Sequence, residues 1–384
     1  SKKIFNFIKT DSRTVQKDDV FVALIGERFD AHDYVSQVIS SGAGCLILER
    51  MPENPLTIPV ILVNNTEQAL GDLAAYRRLC MKEISNPQVV GITGSSGKTT
   101  VKEMCAAIFI KQWPEGIDTP PERVLKTEGN YNNLIGLPLS LLPVSPKHKA
   151  VILEMGMNQP GEIKRLADIA DPDIACILNV HGAHLLGLGN IEGVAKAKEE
   201  LFQACDNDTI LVINGDDSRV MDLSRKYEQK KILFALNNDS SGSIDIFSSD
   251  KKSGDLEEQF FNLHVAKQHI PVHLHVPGNH NILNALAAAA IAHAAGIDIT
   301  LIAKGLSSFE PTDRRMEVLD GPAGSRIIND TYNANPESMK AGISTLSELG
   351  SGRRFAILGD MLELGVDSEA LHKTIGAHVA ESGI

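Results

Sequence analysis

The sequence has few aromatic residues and too little positive charge to balance its acids. Aromatic residues make up 5 % of its 384 residues, and 49 acidic against 37 basic side chains give a formal net charge of −12. So acidic a chain is repelled by nucleic acid and by anionic membrane surfaces, although a local basic pocket is compatible with this charge. We therefore expect neither nucleic acid nor a membrane surface to be the main partner.

Cysteine pairs and long apolar runs are also missing. The five cysteines, at positions 45, 80, 105, 176 and 205, are scattered without a CxxC motif. This spacing predicts reduced, buried thiols in a cytoplasmic protein rather than a disulfide framework or a cysteine zinc site. No apolar run approaches the ~18 residues of a membrane span, and no signal peptide opens the sequence. Both ends look cut, so we expect a fragment.

A strand pattern that runs into a glycine-rich turn and a helix is the strongest signal present. Most of residues 89–93 suit a buried strand, Gly94 to Gly97 suit a tight turn, and a helical pattern then runs through Val101, Met104, Cys105 and Ile108. Such a turn aims backbone N–H groups at one point, where Lys98 can reach phosphates and the Thr99 hydroxyl can bind Mg²⁺. The pattern predicts an ATP phosphate loop. It departs from the strict spacing, with Ile92 five positions before Gly97, and an ordinary turn with a surface lysine is the alternative.

Three further side chains are candidates for chemistry. Glu154 ends an apolar strand pattern, where an acid beside a phosphate loop commonly holds Mg²⁺ or orients water; capping of the next turn is the alternative. His184 follows the strand pattern 174–180 and is equally a metal ligand or a turn histidine. Lys198 lies on a helical pattern whose lysines would normally form a solvated face.

Polar clusters mark possible binding loops. The segments 10–13 and 28–33 mix cations with acceptors, as a phosphorylated or sugar ligand needs, but solvated turns have the same composition. The asparagines around 130–133 offer paired donors and acceptors, or serve equally as a structural turn. Asn281 and Asn284 share one face of a predicted helix, where amides could read an adenine edge.

The order of strand and helix patterns predicts an α/β protein of three units. Residues 1–85 form a small N-terminal α/β domain, and residues 86–311 form a central ATP-binding domain with a parallel sheet. Residues 312–384 form a C-terminal domain with strands over 326–330 and 354–359, each followed by a helix. Two strand–helix pairs are too few to close a doubly wound sheet, so we expect this domain to be incomplete.

With these segments in this order, the chain resembles the Mur ligases, the ATP-dependent amide ligases of peptidoglycan precursor synthesis. The resemblance covers essentially the whole sequence. It rests on the phosphate loop, on Glu154, on His184 and on the stretches 197–201, 278–285 and 330–336. The segments 28–33, 129–133 and 332–336 are most similar to family members that join D-alanyl-D-alanine to UDP-N-acetylmuramoyl-tripeptide.

The resemblance implies a fold, a reaction and partners. The fold would be a three-domain α/β architecture with a UDP-muramoyl-peptide-binding domain, a central P-loop ATPase domain with a parallel sheet, and a Rossmann-like C-terminal domain. The enzyme would be an ADP-forming peptide synthase that passes through an acyl phosphate and acts as a cytoplasmic monomer on those two small substrates. The alternatives are a sibling ligase that adds the third residue, a folylpolyglutamate synthase, and a truncated nucleotide-binding form without turnover.

The resemblance also implies roles for single residues. Catalysis would fall to Lys98, Glu154, His184 and Lys198. ATP would be held by Gly94, Ser95, Ser96, Gly97, Lys98, Thr99, Thr100, Asn281, Asn284, Arg315 and Asp330. The UDP-muramoyl peptide would be held by Asp11, Ser12, Arg13, Phe29, Asp30, His32, Thr127, Asn130, Asn132, Asn133, Tyr332, Asn333 and Asn335. Two Mg²⁺ ions would be bound by Thr99, Glu154, His184 and Lys198, the lysine as a carbamate formed with CO₂, because hard Mg²⁺ prefers anionic oxygen.

Overall fold

The computed structural model describes residues 4–53, 55–114, 123–182, 185–238, 244–253, 258–311, 314–349 and 352–384. Three sheets follow one another along the chain: a four-stranded sheet, a nine-stranded sheet and a two-stranded sheet. The mixed α/β, three-part architecture expected from the sequence is confirmed. Among the described residues, no helix is both long and apolar enough to cross a bilayer.

The N-terminal sheet is fully parallel, with its strands in sequence order. Its strands are β1 (Ile8–Lys9), β2 (Val20–Val22), β3 (Cys45–Leu48) and β4 (Val60–Leu62), and its helices are α1 (Val35–Ser40) and α2 (Thr66–Ile84). Helix α2 also packs against the central domain. Its Arg78 is 1 % exposed and donates to the Ala170 and Asp171 carbonyl oxygens and to the Asp173 carboxylate.

The central sheet is parallel except at one edge, where β12 runs antiparallel to both of its neighbours, β11 and β13. The strand order is β13-β12-β11-β10-β9-β8-β5-β7-β6. The strands are β5 (Gln88–Thr93), β6 (Val124–Lys126), β7 (Ala150–Glu154), β8 (Ile174–Ile177), β9 (Ile210–Asn214), β10 (Lys231–Ala235), β11 (Ile246–Ser253), β12 (Gln259–Val265) and β13 (Gln268–Leu274). Strand β5 lies between β7 and β8, so its carboxyl end is the switch point where open α/β sheets bind ligands.

Helices cover both faces of this sheet, which explains why its central strands are apolar throughout. The helices are α3 (Lys98–Gln112), α4 (Gly136–Leu141), α5 (Glu162–Ala170), α6 (Leu185–Leu188), α7 (Ile191–Gln203), α8 (Ser218–Ser224), α9 (Asn279–Ala294) and α10 (Ile299–Leu306). Val90 and Ile92 pack with α3, α9 and α10 on one face, and Val89 packs with α5 and α7 on the other. A Cβ on Gly305 would lie 2.4 Å from Ile108 Cα, so glycine at this position lets α10 pack closely against α3, the helix that follows the phosphate loop.

The C-terminal part is a small antiparallel sheet with two helices. It contains β14 (Glu317–Asp320), β15 (Arg326–Asn329), α11 (Pro336–Glu348) and α12 (Ser368–Glu381). The strand expected over 354–359 is wrong: among the residues that the structure describes, no strand pairs with this stretch, and it forms no ladder. The side chains of Phe355 and Ile357 are 74 % and 98 % exposed, so the apolar pattern of this stretch does not correspond to a buried strand.

Candidate active site

A cavity of about 670 Å³ opens at the carboxyl end of β5 and β7 and is walled by the central and C-terminal parts. Most of the sequence-predicted ATP, metal and peptide residues line it. These are Ser95 to Thr100, Asn130, Asn132, Asn133, Glu154, Asn281, Asn284, Arg315, Asp330, Tyr332, Asn333 and Asn335. The cavity therefore joins segments that lie more than two hundred residues apart in the sequence.

The phosphate loop is held in shape by the segment that follows β8. The Ser96 N–H donates to Asn179 Oδ1 over 3.0 Å, and Asn179 Nδ2 donates back to the Ser96 carbonyl over 3.2 Å. Ser95 Oγ exchanges hydrogen bonds with the backbone of His181 at 2.9 and 3.0 Å. Gly97 caps α3 at φ +80°, a left-handed conformation that favours glycine. The N–H groups of the first helical turn, left without intrahelical partners, form an anion site.

Lys98 stands over this loop with its ammonium on the Gly94 carbonyl, 2.8 Å away. Burial lowers the pKa of Lys98, Glu154 raises it, and the nearby Arg315 lowers it again. Two cations so close to one another repel, and an anion between them would remove that repulsion. The arrangement suits the β- and γ-phosphates of a nucleotide.

Glu154 forms hydrogen bonds with three other predicted site residues, Thr99, Asn132 and Thr127. The carboxylate is 3 % exposed, and it accepts from Thr99 Oγ1 at 2.8 Å and from Asn132 Nδ2 at 2.7 Å. Its own N–H donates to Thr127 Oγ1 over 3.0 Å, so buried Thr127 positions the acid from outside the cavity. A carboxylate beside a hydroxyl and an amide presents oxygen ligands of the kind that Mg²⁺ prefers, so these residues fit that ion.

Lys198 is buried on α7, at 2 % exposure, and does not form the solvated face that its helical pattern favours. Burial lowers the pKa of Lys198 well below the ordinary value, and repulsion from Lys98 lowers it further. His184 lies outside the described residues, so its role as a metal ligand stays a prediction. His181 lies in the cavity wall, and burial lowers its pKa against the opposing pull of Asp217.

The amides of α9 are tied together beside the loop. Buried Asn281 donates from Nδ2 to the Pro277 carbonyl at 2.7 Å and accepts from Asn284 Nδ2 at 3.1 Å. A Cβ on Gly97 would lie 2.5 Å from Asn284 Oδ1, which is a second reason for glycine at that position. The structure thus gives Asn281 a local partner on each side of its amide, and its reading of adenine stays a prediction.

The C-terminal part of the chain contributes charged groups and an aromatic ring to the cavity wall. The Arg315 guanidinium stacks on Tyr332 with 3.8 Å between Cζ and the ring centroid. Burial raises the pKa of Asp330, although the Met316 N–H, 3.2 Å from its Oδ1, and Arg315 both pull it down. Asn333 accepts from the Ala334 N–H at 2.9 Å, and Asn335 caps α11.

The N-terminal candidates do not line this cavity. Asp11 and Arg13 pair with each other, and the Arg13 hydrogen bond lowers the pKa of Asp11 to about 2. In the other loop, burial would raise the pKa of Asp30, but hydrogen bonds from Arg50 and His32 lower it to about 2. Ser12 lies between the first pair, and Phe29 is 61 % exposed. Binding of the UDP-muramoyl peptide by these loops stays a prediction.

Several polar residues of the wall were not predicted from the sequence, among them Asn179, His181 and His280. The first two follow a strand that pairs with β5, and that pairing is a long-range contact which no local pattern encodes. The position of Asn179 near a strand end was the available signal. His280 is half-buried in this wall, and its burial lowers its pKa to about 4.

Three family descriptions match consecutive parts of the chain. They are "Mur ligase family, catalytic domain" over residues 4–78, "Mur ligase middle domain" over 92–292 and "Mur ligase, glutamate ligase domain" over 314–384. A UDP-N-acetylmuramoyl-tripeptide–D-alanyl-D-alanine ligase of Buchnera aphidicola is 38 % identical, over 98 % of this chain and 78 % of the relative.

Solved structures agree with the sequence comparison. MurF from Acinetobacter baumannii superposes with a TM-score of 0.88 at 34 % identity, over 98 % of this chain and 78 % of that one. MurF ligase from Thermotoga maritima in complex with ADP gives 0.84 at 31 % identity, over 97 % and 81 %. A diaminopimelate-adding ligase and a folylpolyglutamate synthase share the fold alone, with TM-scores of 0.61 and 0.54 at 18 % and 16 % identity.

Proposed function

We propose a function for this chain on the premise that it belongs to the Mur ligase family. The chain is an ATP-dependent, ADP-forming ligase that joins D-alanyl-D-alanine to UDP-N-acetylmuramoyl-tripeptide in peptidoglycan synthesis. The observation that carries this conclusion is the similarity to such ligases over nearly the whole chain, together with a phosphate loop that faces a buried acid. The sibling ligase and the folate enzyme are not favoured, because their structures share only the fold.

The reaction follows if the cavity holds ATP and the tripeptide carboxylate side by side. The terminal carboxylate of the tripeptide attacks the γ-phosphorus of ATP, a P–O bond forms, and the bond to the β-phosphate oxygen breaks to release ADP. The amine of D-alanyl-D-alanine then attacks the acyl carbon, loses a proton and expels phosphate. The loop N–H groups and Lys98 stabilise charge on the transferred group, and positioning and electrostatics supply most of the rate of such a transfer.

Thr99 and Glu154 are the proposed ligands of a Mg²⁺ ion, because their oxygens lie 2.8 Å apart at the loop. The ion supplies positive charge that neutralises phosphate oxygens. Asn132 holds the second Glu154 oxygen and is a positioning residue in this scheme. Arg315 and Asp330 would act from the C-terminal side, where closure of the domains around ATP would bring them into use.

Lys198 is proposed to react with CO₂ as the neutral amine. A nitrogen–carbon bond forms, one N–H proton leaves, and the ammonium site becomes a carbamate oxygen donor. Its burial beside Lys98 supports this, because both lower the pKa of Lys198 and so favour the neutral amine, and the anionic carbamate would then be attracted to Lys98.

A coupled assay of ADP release tests the reaction. With ATP, Mg²⁺ and UDP-N-acetylmuramoyl-tripeptide, D-alanyl-D-alanine should trigger release and a diamino acid should not. Lys98→Ala should lower the rate by at least about 10²–10³-fold, since it removes a charge that acts on the transition state. ATP binding without amine-dependent release would favour a nucleotide-binding form, and normal turnover in Lys98→Ala would remove the loop from the mechanism.

The carbamate has its own test. Lys198→Ala should be inactive, bicarbonate should not restore it, and short-chain carboxylic acids should restore part of the rate. Lys196→Ala, an exposed lysine on the same helix, is the matched control and should keep wild-type activity. Full activity of Lys198→Ala without added acids would refute the carbamate. The monomeric state is tested by the molar mass in light scattering.

A further inference from the structure

The outward face of the β12–β13 hairpin carries a group of potential metal ligands. The register pairs Phe260 with His273 and Gln259 with Leu274, which places Glu258 opposite His275 at the end of the ladder. Side chains two apart on a strand share a face, so Glu258, His273 and His275 point the same way. Val272 and Leu274 point the other way, into the core.

These three side chains converge. Glu258 Oε1 lies 3.2 Å from His273 Nε2, and the rings of His273 and His275 lie 4.1 Å apart between centroids. One potential ligand atom from each residue lies within 4.8 Å of the other two. Ligands about 2.0–2.2 Å from a tetrahedral zinc ion are roughly 3.3–3.5 Å apart, so closure needs about 1 Å of side-chain movement.

His273 supplies an independent reason to expect a ligand. Its Nε2 is buried and has no hydrogen-bond partner among the described residues, although Glu258 Oε1 is within ion-pair distance. The contact is close enough for a hydrogen bond but lacks the alignment of one. A buried polar nitrogen without a partner is costly, and a metal ion would satisfy it.

We propose that Glu258, His273 and His275 form a binding site for a divalent transition metal of the zinc, cobalt or nickel class. Two imidazole nitrogens and one carboxylate oxygen are the protein ligand set of open zinc sites, which leaves a fourth position for water. Mg²⁺ is a poor competitor, because it prefers oxygen ligands and the oxygens here are too few. None of the three residues lines the cavity that holds Glu154. The proposed transition-metal site therefore differs from the proposed Mg²⁺ site both in its ligands and in its position.

Zinc titration of the tag-free chain tests the site, with excess Mg²⁺ present throughout. Wild type should bind one equivalent of Zn²⁺, and Co²⁺ should give the visible absorption of a four-coordinate ion. His275→Ala and Glu258→Gln should each weaken binding by at least about tenfold, because even indirect partners of a metal ligand are worth that much. These two variants leave the packed face of β13 intact, whereas His273→Ala also removes a ring that stacks on Phe260.

His269→Ala is the matched control. His269 lies on the same face of β13 but outside the group of three, and its ring stacks on His264 instead. It should leave zinc binding unchanged. If His269→Ala lost zinc binding while His275→Ala kept it, the metal would bind at another site and the proposal would be wrong. Equal affinity in wild type and in the double variant E258Q/H275A would also overturn it. In zinc-soaked crystals, anomalous scattering should place the ion about 2.0–2.1 Å from both imidazoles.

Discussion

At the scale of single residues, the Glu154 carboxylate has both oxygens occupied by donors that can exchange for an ion. A threonine hydroxyl can donate or accept according to its rotation, so Thr99 can turn its lone pair toward a cation without moving its oxygen. Asn132 meanwhile keeps the other carboxylate oxygen in place at 2.7 Å. The acid is thus pre-positioned, which is what a site that works by electrostatics requires.

His280 gives the cavity wall a specific pH dependence. Burial holds its pKa at about 4 in the folded chain, below the ordinary value of 6.5. Between these values the unfolded chain binds the extra proton, so stability should fall as the pH drops from about 6.5 toward 4. At pH 5 this one residue should cost about 2 kcal/mol of unfolding free energy relative to pH 7 and above.

The measurement is urea unfolding at pH 5 and pH 7 for wild type and His280→Gln. The variant cannot take up the proton, so its loss of stability between the two pH values should be smaller than that of wild type by about this amount. Equal losses in both proteins would show that His280 titrates normally in the folded chain.

The residue scale also shows why local patterns recovered part of the site. The phosphate loop and Glu154 are recognisable because their chemistry is set by neighbours in sequence, a glycine turn and a strand end. Lys198 was not recognisable by pattern, because its helical stretch favours a solvated face and the fold instead buries it beside Lys98. Only the family resemblance singled it out.

At the scale of elements, strand pairing brings together residues that local sequence patterns cannot connect. The parallel pairing of β8 with β5 brings Asn179 and His181 to the phosphate loop across more than eighty residues of sequence. The central strands were predicted because burial on both faces makes them apolar. The stretch 354–359 has the same composition without a neighbouring strand, so its expected ladder is absent.

Asn335 caps the start of α11, and this structural role can be tested separately from its predicted role in substrate binding. Its Oδ1 accepts from the Ser338 N–H at 2.9 Å, and Ser338 Oγ accepts from the Asn335 N–H at 3.1 Å. Asn335→Ala should lower stability by about 1 kcal/mol, and Asn335→Ser, an equally good cap, should not. Urea unfolding measures both.

The same pair of variants tests the predicted substrate contact. If Asn335 also touches the peptide substrate, Asn335→Ser should raise KM for the tripeptide while its stability stays at the wild-type level. A wild-type KM in Asn335→Ser would leave Asn335 as a helix cap alone.

At the scale of the whole molecule, the predicted three-domain architecture is confirmed, while the domain bounds 1–85, 86–311 and 312–384 stay a prediction. Helix α2 falls in the first of these units but packs on α4 and α5 of the second. Its buried Arg78 donates to three carbonyl groups and one carboxylate there. Sequence alone gave no sign of this contact, because a helical arginine is usually solvated.

Arg78→Ala should therefore loosen the N-terminal domain from the central one. Removing the buried guanidinium should cost at least about 1–3 kcal/mol, because its carbonyl acceptors lose their donor, whereas Asp173 is 35 % exposed and can turn to water. Lys82→Ala is the control. Lys82 pairs with Asp171 at 2.7 Å, with the two side chains 41 % and 38 % exposed, and its loss should cost no more than about 1 kcal/mol. Calorimetry should show a lower first transition for Arg78→Ala, and matching traces for the two variants would contradict the anchoring role.

The measurement that tests the central claim most directly is a crystal structure with Mg²⁺ and a non-hydrolysable ATP analogue. We expect the terminal phosphates to lie against the N–H groups at the start of α3 and beside Lys98. We also expect an ion bound to Thr99 Oγ1 and to the Glu154 carboxylate. A nucleotide bound elsewhere, with the Thr99–Glu154 hydrogen bond intact and no ion beside it, would contradict the claim.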